Sequence, residues 1–472
     1  MKRIALGLAL VLVAPAARAA TLSALSCSLA DVQAAVANAA SGDVVVVPAG
    51  TCTWTTQAAY TPCIALPAGV TLQGAGIDQT TLDDGTGTNS SEDLIDATDG
   101  SRITGFTFTD ARAVTDYKSP IAIAGTGWRI DHNKFAPAVT RIGITSDGAG
   151  VIDNNLFVDT SHGIDIIGTG DPSWSTPSAV GSSAEVYMED NTFEYSGLKD
   201  GAYDAYNGAR YVFRHNTVHG TNVGHHGFDS GGFRSPYSAE VYDNTFDNAQ
   251  TAVFTTMNFR GGSQVIFGNT VTADGGSYNG FVILRNYRSD DGYVAADGNS
   301  WDTCNGTSSY DGNIAGGQGY PCHDQIGRGT DQELSPTYLW DNTFKGGAPP
   351  AVDVEAYEDA TRARAYHILA NRDYYEDTPK PGYTPFTYPH PLRGESDGGA
   401  GAGGSGTGGA GAGGTGAGGP AGGGADAGVP APDTEGGCGC RVGAATGGRW
   451  GLVLAVLPAM RRGRSRRRRI LR

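Results

Sequence analysis

The amino-acid sequence predicts an all-β fold, a parallel β-helix, on three observations. First, a short phrase returns through the chain: Asn133-Lys134-Phe135, Asn155-Leu156-Phe157, Asn191-Thr192-Phe193, Asn216-Thr217-Val218, Asn244-Thr245-Phe246, Asn269-Thr270-Val271, Asn299-Ser300-Trp301 and Asn342-Thr343-Phe344. Second, these asparagines lie 22, 36, 25, 28, 25, 30 and 43 residues apart. Five spacings are near the length of one solenoid coil, and the two longest read as coils with an inserted loop. Third, no copy carries a period-3.6 apolar pattern, which disfavours helical repeats. A unit this short cannot bury an apolar face alone, so the copies must stack into continuous parallel sheets. The aromatic or Val two places after each Asn is expected to fill the core. The Asn is expected in the turn, taking the left-handed conformation and hydrogen-bonding its counterpart one coil away.

Each segment follows in order. Residues 1–20 read as an export signal: Lys2-Arg3, an apolar run over 4–13 too short to span a bilayer, and small residues around Ala17-Arg18-Ala19. Residues 21–395 form the β-helix domain. It opens with an amphipathic helix over 28–40, with Val32 and Val36 on one face. Gly42-Asp43-Val44-Val45-Val46-Val47-Pro48-Ala49-Gly50-Thr51 and Val70-Thr71-Leu72-Gln73-Gly74-Ala75-Gly76 come next, and 103–108 is an early coil. The domain closes with Tyr383-Thr384-Pro385-Phe386-Thr387-Tyr388-Pro389-His390-Pro391-Leu392, a proline-stiffened strap expected to pack aromatics over the last coil. This opening resembles the start of right-handed parallel β-helix proteins of the pectate-lyase-like group. The resemblance implies a right-handed solenoid whose helix caps the open end, covering apolar core and sheet edges.

Residues 396–435 are rich in Gly and Ala and are expected to be a flexible tether. Residues 436–472 hold Cys438 and Cys440, an apolar run over 450–460, and Arg461, Arg462 and Arg466 to Arg469. That order resembles the C-terminal sorting signal of myxobacterial surface proteins. It implies cell-surface or outer-membrane anchoring through this segment only, or release after processing near Cys438.

Charge narrows the partners. Of 33 Lys and Arg, 3 lie in the first 20 residues and 10 beyond Ser396; of 49 Asp and Glu, 4 lie beyond Ser396. The body therefore sets 20 basic against 45 acidic groups, which excludes nucleic acid and anionic membranes as partners of the body. An extracellular polysaccharide is the expected partner, and a monomer the expected state. A polyanionic glycan needs local basic clusters or bridging calcium. The seven cysteines fit an oxidising compartment. Cys304 and Cys322 are expected to pair, and Cys27, Cys52 and Cys63 to give one pair and one leftover thiol.

The candidate site residues lie in coils expected to line one sheet: His162-Gly163-Ile164-Asp165, Tyr203-Asp204, His226-Gly227-Phe228-Asp229 and Ile283-Leu284-Arg285. His-Gly-apolar-Asp occurs twice, and in a regular strand its His and Asp point to opposite faces. Ionisable groups are densest from Lys199 to Arg234, where His215, His219, His225 and His226 fall together. Three readings compete. A polysaccharide lyase must neutralise the uronate carboxylate, abstract its α-proton and protonate the leaving oxygen. Asp200, Asp204 and Asp229 would hold calcium; His226, Arg234 and Lys199 would be catalytic; His162, Asp165, Asp204, His225 and Arg285 would bind substrate. Trp128-Arg129-Ile130-Asp131-His132 resembles the Trp-Ile-Asp-His phrase of pectate lyases, with Arg129 inserted and the accompanying Arg-x-Pro-x-x-Arg phrase absent. A glycoside hydrolase needs two carboxylates across a cleft, and the coils offer no adjacent Asp pair. The third reading is a non-catalytic surface adhesin or glycan-binding β-helix, with Asp and Asn as turn residues. A zinc site at His225-His226 with Asp229 lacks a diagnostic ligand spacing.

Overall fold

A computed structural model describes residues 18–56, 61–86, 93–110, 120–137, 142–145, 148–160, 162–177, 180–196, 201–227, 234–248, 253–272, 278–286, 304–307, 311–314, 317–355 and 366–394. Its architecture is the parallel β-helix. Each coil gives one short strand to each of three walls. The first wall is a 12-stranded sheet from Thr21–Ser23 to Tyr374–Tyr375, and the second a 10-stranded sheet from Gly50–Trp54 to Thr343–Phe344. The third runs as six strands from Ile64–Ala65 to Tyr203–Tyr206, then as four from Val223–Gly224 to Asp353–Glu355. Parallel crossovers of this kind are right-handed.

The asparagine phrase builds the corner between the first and second walls. Asn133, Asn155, Asn191, Asn216, Asn244 and Asn269 each donate a main-chain and a side-chain N–H to the amide oxygen of the next asparagine, at 2.9–3.2 Å, ending on Asn342. Buried bonds of this kind contribute about 1 kcal/mol each. Phe108, Phe135, Phe157 and Phe193 stack inside with ring centroids 5.2, 4.8 and 4.7 Å apart.

Two details of the phrase differ from expectation. The left-handed residue is the one before Asn: His132, Asn154, Asp190, His215, Asp243 and Asp341 have φ of 52–55°. The Asn must aim its amide inward, so its predecessor, His132 and His215 among them, makes the turn. Asn269 bonds Asn342 directly across 73 residues, so one long excursion separates these two rungs. Asn299 lies outside the described residues.

The capping helix is shorter than expected, Leu29–Val36, with Ser28 Oγ accepting from the Asp31 N–H at 3.3 Å. Val32 and Val36 are buried. Cys27 pairs with Cys52 and Cys304 with Cys322, leaving Cys63 as a buried thiol.

The strap is the largest departure. It runs back along the outer face of the first wall instead of closing the last coil. Tyr383 meets Phe267 and Trp340 edge-on at 6.0 and 6.2 Å, while Phe386 and His390 lie 5.5 and 4.7 Å from Tyr187. Arg214 donates to the carbonyls of Phe386 and Thr387 at 2.8 and 2.9 Å, and Arg129 to that of Arg393 at 2.7 Å. Under and beside the strap, Arg102 pairs with Asp131, Arg129 with Asp153, and both Arg214 and Arg393 with Glu189, at 2.6–3.0 Å. Burial opposes ionisation of Asp131, yet the bonds from Arg102 and His132 bring its carboxyl down to about 2. The Trp128–His132 phrase is therefore structural here: Trp128 and Ile130 are core residues, and Arg129 and Asp131 are rungs of this ion ladder.

Candidate functional site

The third wall carries the cluster. In strands Ile164–Ile167 and Tyr203–Tyr206, Ile164, Ile166, Tyr203 and Ala205 point into the core, so Asp165 and Asp204 point outward, side by side in register. The next two outward positions along the wall are Gly224 and Asn258, paired with each other in the four-stranded sheet. Hydrogen bonds from Ala202 N to Asn222 O and from His226 N to Ala205 O carry the wall across the break.

His226 turns its ring back to Asp204. Its Nδ1 lies 2.8 Å from both carboxylate oxygens, and Asp204 also accepts from the Ala205 N–H at 2.8 Å. A carboxylate only accepts, so Nδ1 bears a proton. His162 completes the group. Its Nδ1 is 4.0 Å from Asp165 Oδ1, and the ligand atoms of His162, Asp165 and Asp204 all lie within 4.8 Å of one another. His162 precedes the strand, so strict alternation does not govern it, and it reaches the same outer face as Asp165. All four side chains are at most 5% exposed.

The glycines of the repeated His-Gly phrase have a packing cause. A Cβ on Gly163 would stand 2.9 Å from the Ala202 carbonyl oxygen, and one on Gly227 2.4 Å from that of Arg260. Close approach of the next coil sets the glycine, and the preceding histidine is thereby brought to the wall's edge.

Other expected site residues lie elsewhere. His225 points inward. Its Nε2–H donates to the Gly261 carbonyl at 3.1 Å and its Nδ1 accepts from the Tyr211 hydroxyl at 2.9 Å. Burial pushes this imidazole down to about 3, so it is a neutral core residue. Arg234 is bound by Asp324 and Asp171 at 2.9 Å each and stacks 4.8 Å over Trp174, tying the short helix Asp171–Trp174 to the excursion. Its guanidinium, expected to be catalytic, is occupied by these structural contacts. Arg285 is ion-paired with Glu355 and lies 5.1 Å over Phe254. Lys199, Asp200 and Asp229 lie outside the described residues. Of the expected calcium ligands only Asp204 is described, and it is engaged with the His226 imidazole.

Two features escaped the sequence reading. Asn258 is fully buried on the outer face, and neither atom of its amide has a hydrogen-bond partner. On the second wall, His219 Nδ1 meets Asp247 at 2.6 Å in an open trough of about 440 Å³ lined also by Asp159, Glu194 and Ser196. The signal was available: His219 and Asp247 each stand three places after their ladder asparagine.

Comparison with known proteins adds the fold's company. No family model matches the chain, and no curated protein does. Among solved structures the chain is similar to an alginate lyase from Paenibacillus sp. str. FPU-7 at 16% identity and a TM-score of 0.37, over 55% of this chain and 98% of that one. It is similar to the A-module of the Azotobacter vinelandii mannuronan C-5 epimerase AlgE6 at 13% identity and a TM-score of 0.37, over 75% and 92%. A third is a GH87 α-1,3-glucanase catalytic unit from Streptomyces thermodiastaticus, at 14% and 0.33, over 73% and 68%. The likeness is one of fold.

Proposed function

We propose that this protein acts on an extracellular polysaccharide through the outer face of its third wall, cleaving a uronic-acid-containing glycan by β-elimination. The observation that carries the reading is the His226–Asp204 pair at 2.8 Å. In this reading Asp204 orients the ring and Nε2 of His226 is the base that takes the proton α to the uronate carboxyl group; the C–H electron pair forms the ring double bond as the C4–O bond breaks, and the leaving oxygen takes a proton, from the imidazolium so formed or from water. Enclosure strengthens each such contact. Export through residues 1–20 and surface attachment through 436–472 belong to the same proposal and rest on the sequence.

A second reading, a non-catalytic glycan-binding surface protein, is favoured by one observation. His226 is 4% exposed, whereas the His219–Asp247 trough on the second wall is open. A panel of acidic and neutral polysaccharides, read at the absorbance of the unsaturated uronate with and without chelator, separates the two. The lyase predicts new absorbance on one polymer, abolished in H226A. Binding with neither unsaturated nor reducing ends leaves the second reading.

A further inference from the structure

We propose that His162, Asp165 and Asp204 form a binding site for one divalent transition ion of the zinc class. Their ligand atoms converge within 4.8 Å from two neighbouring coils and from the turn preceding one of them. All three side chains are more than nine-tenths buried.

The separations suit shared coordination better than direct contact. His162 Nδ1 and Asp165 Oδ1, at 4.0 Å, are beyond hydrogen-bond range. Donors each about 2.1 Å from one ion stand roughly 3 to 4 Å apart. Two buried carboxylates in register on adjacent rungs repel one another, and a dication between them removes that cost.

The donor set selects the ion. One imidazole nitrogen with two carboxylates is the chemistry of zinc and its first-row neighbours. Three protein donors leave a position open, the pattern of a reactive centre and not of a closed structural one. The His226 N–H to Asp204 is the outer-shell bond that orients a ligating carboxylate. The other three-residue grouping among the described residues, Cys304, Cys322 and His367, is no rival, since its two sulfurs are joined in a disulfide. The proposal concerns binding and stands apart from whether the glycan is cleaved.

The test uses the full chain, stripped with chelator, dialysed, and kept non-reducing. Zinc is titrated calorimetrically and cobalt by its visible absorption. One equivalent of zinc and a cobalt spectrum of nitrogen and oxygen ligation, without a thiolate band, are expected on the unaltered protein. D165N and H162Q should each weaken binding at least about 100-fold, and H226A about 10- to 100-fold. Absence of binding to the unaltered protein at micromolar zinc overturns the site. So does an equivalent retained at full affinity in both D165N and H162Q, or displacement of zinc by calcium mole for mole. The cobalt spectrum of the unaltered protein keeps the test decisive if a variant fails to fold.

Discussion

Two walls of this solenoid bury polar side chains on their outer faces, and they do so in opposite ways. Along the first half of the first wall the charges form a matched chain, Arg102, Asp131, Arg129, Asp153, Arg393, Glu189 and Arg214, with guanidinium protons left over used by strap carbonyls, apart from the buried carboxyl pair of Glu185 and Glu240. On the third wall, Asp165 and Asp204 stand next to each other with histidines for company, and the Asn258 amide is buried with neither atom bonded. A saturated buried network specifies and rigidifies a structure; an incompletely matched one is costly unless something else completes it. The first wall is scaffold, and the third wall carries the site proposed above.

The contrast is sharpest if His226 is removed. H226A should lower glycan turnover about 100- to 10,000-fold, measured as initial rate on the folded variant. R214M should act on stability instead. It removes one of the two guanidinium partners of Glu189 and strands two strap carbonyls, costing about 3–5 kcal/mol in denaturant unfolding, while leaving the third wall's ligand affinity within error. Equal loss of activity in both variants would erase the distinction between the walls.

Acid and alkali probe the two regions separately. His225 is held neutral down to about pH 3 in the folded state, while the unfolded chain takes up its proton near 6.5. Its stabilisation is therefore complete above about 6.5 and is lost as pH falls toward 3. H225Q should flatten this acid limb. Under the strap, burial raises Glu185, helped by its neighbour Glu240, which burial also raises despite bonds from Tyr383 and Gly181. Their contribution is present below the ordinary carboxyl range and is lost as pH rises through the raised folded values. E240Q should reduce that alkaline loss, leaving the part that burial of Glu185 causes, read as thermal midpoint against pH. The smallest effect is expected of N258L. Replacing an unbonded buried amide should stabilise by about 1 kcal/mol while weakening glycan binding. Destabilisation would mean the amide is bonded in solution.

The coil architecture was legible because its signal is redundant: each Asn-Thr-Phe places one amide on the ladder and one ring in the core, and neighbouring copies repeat the constraint. His162, Asp165, Asp204 and His226 were legible as residues, because His-Gly recurs where the next coil approaches closely. Their grouping was not. His162 lies outside the strand, so alternation sent it to the wrong face, and the Asp165–Asp204 register spans 39 residues and an inserted helix. The surroundings of His225 and Arg234 were not legible for a related reason. Local composition shows a cluster but not which member turns inward to Tyr211 or which meets Asp324 from 90 residues away. Asn258 carried no signal at all, since an unbonded amide has no sequence signature.

The strap also works as a clamp on the coils beneath it. Between Tyr383 and Arg393 it touches strands from Trp340 back to Arg129 and Asp153. Opening any one of those coils must therefore also peel away a segment that the others hold down.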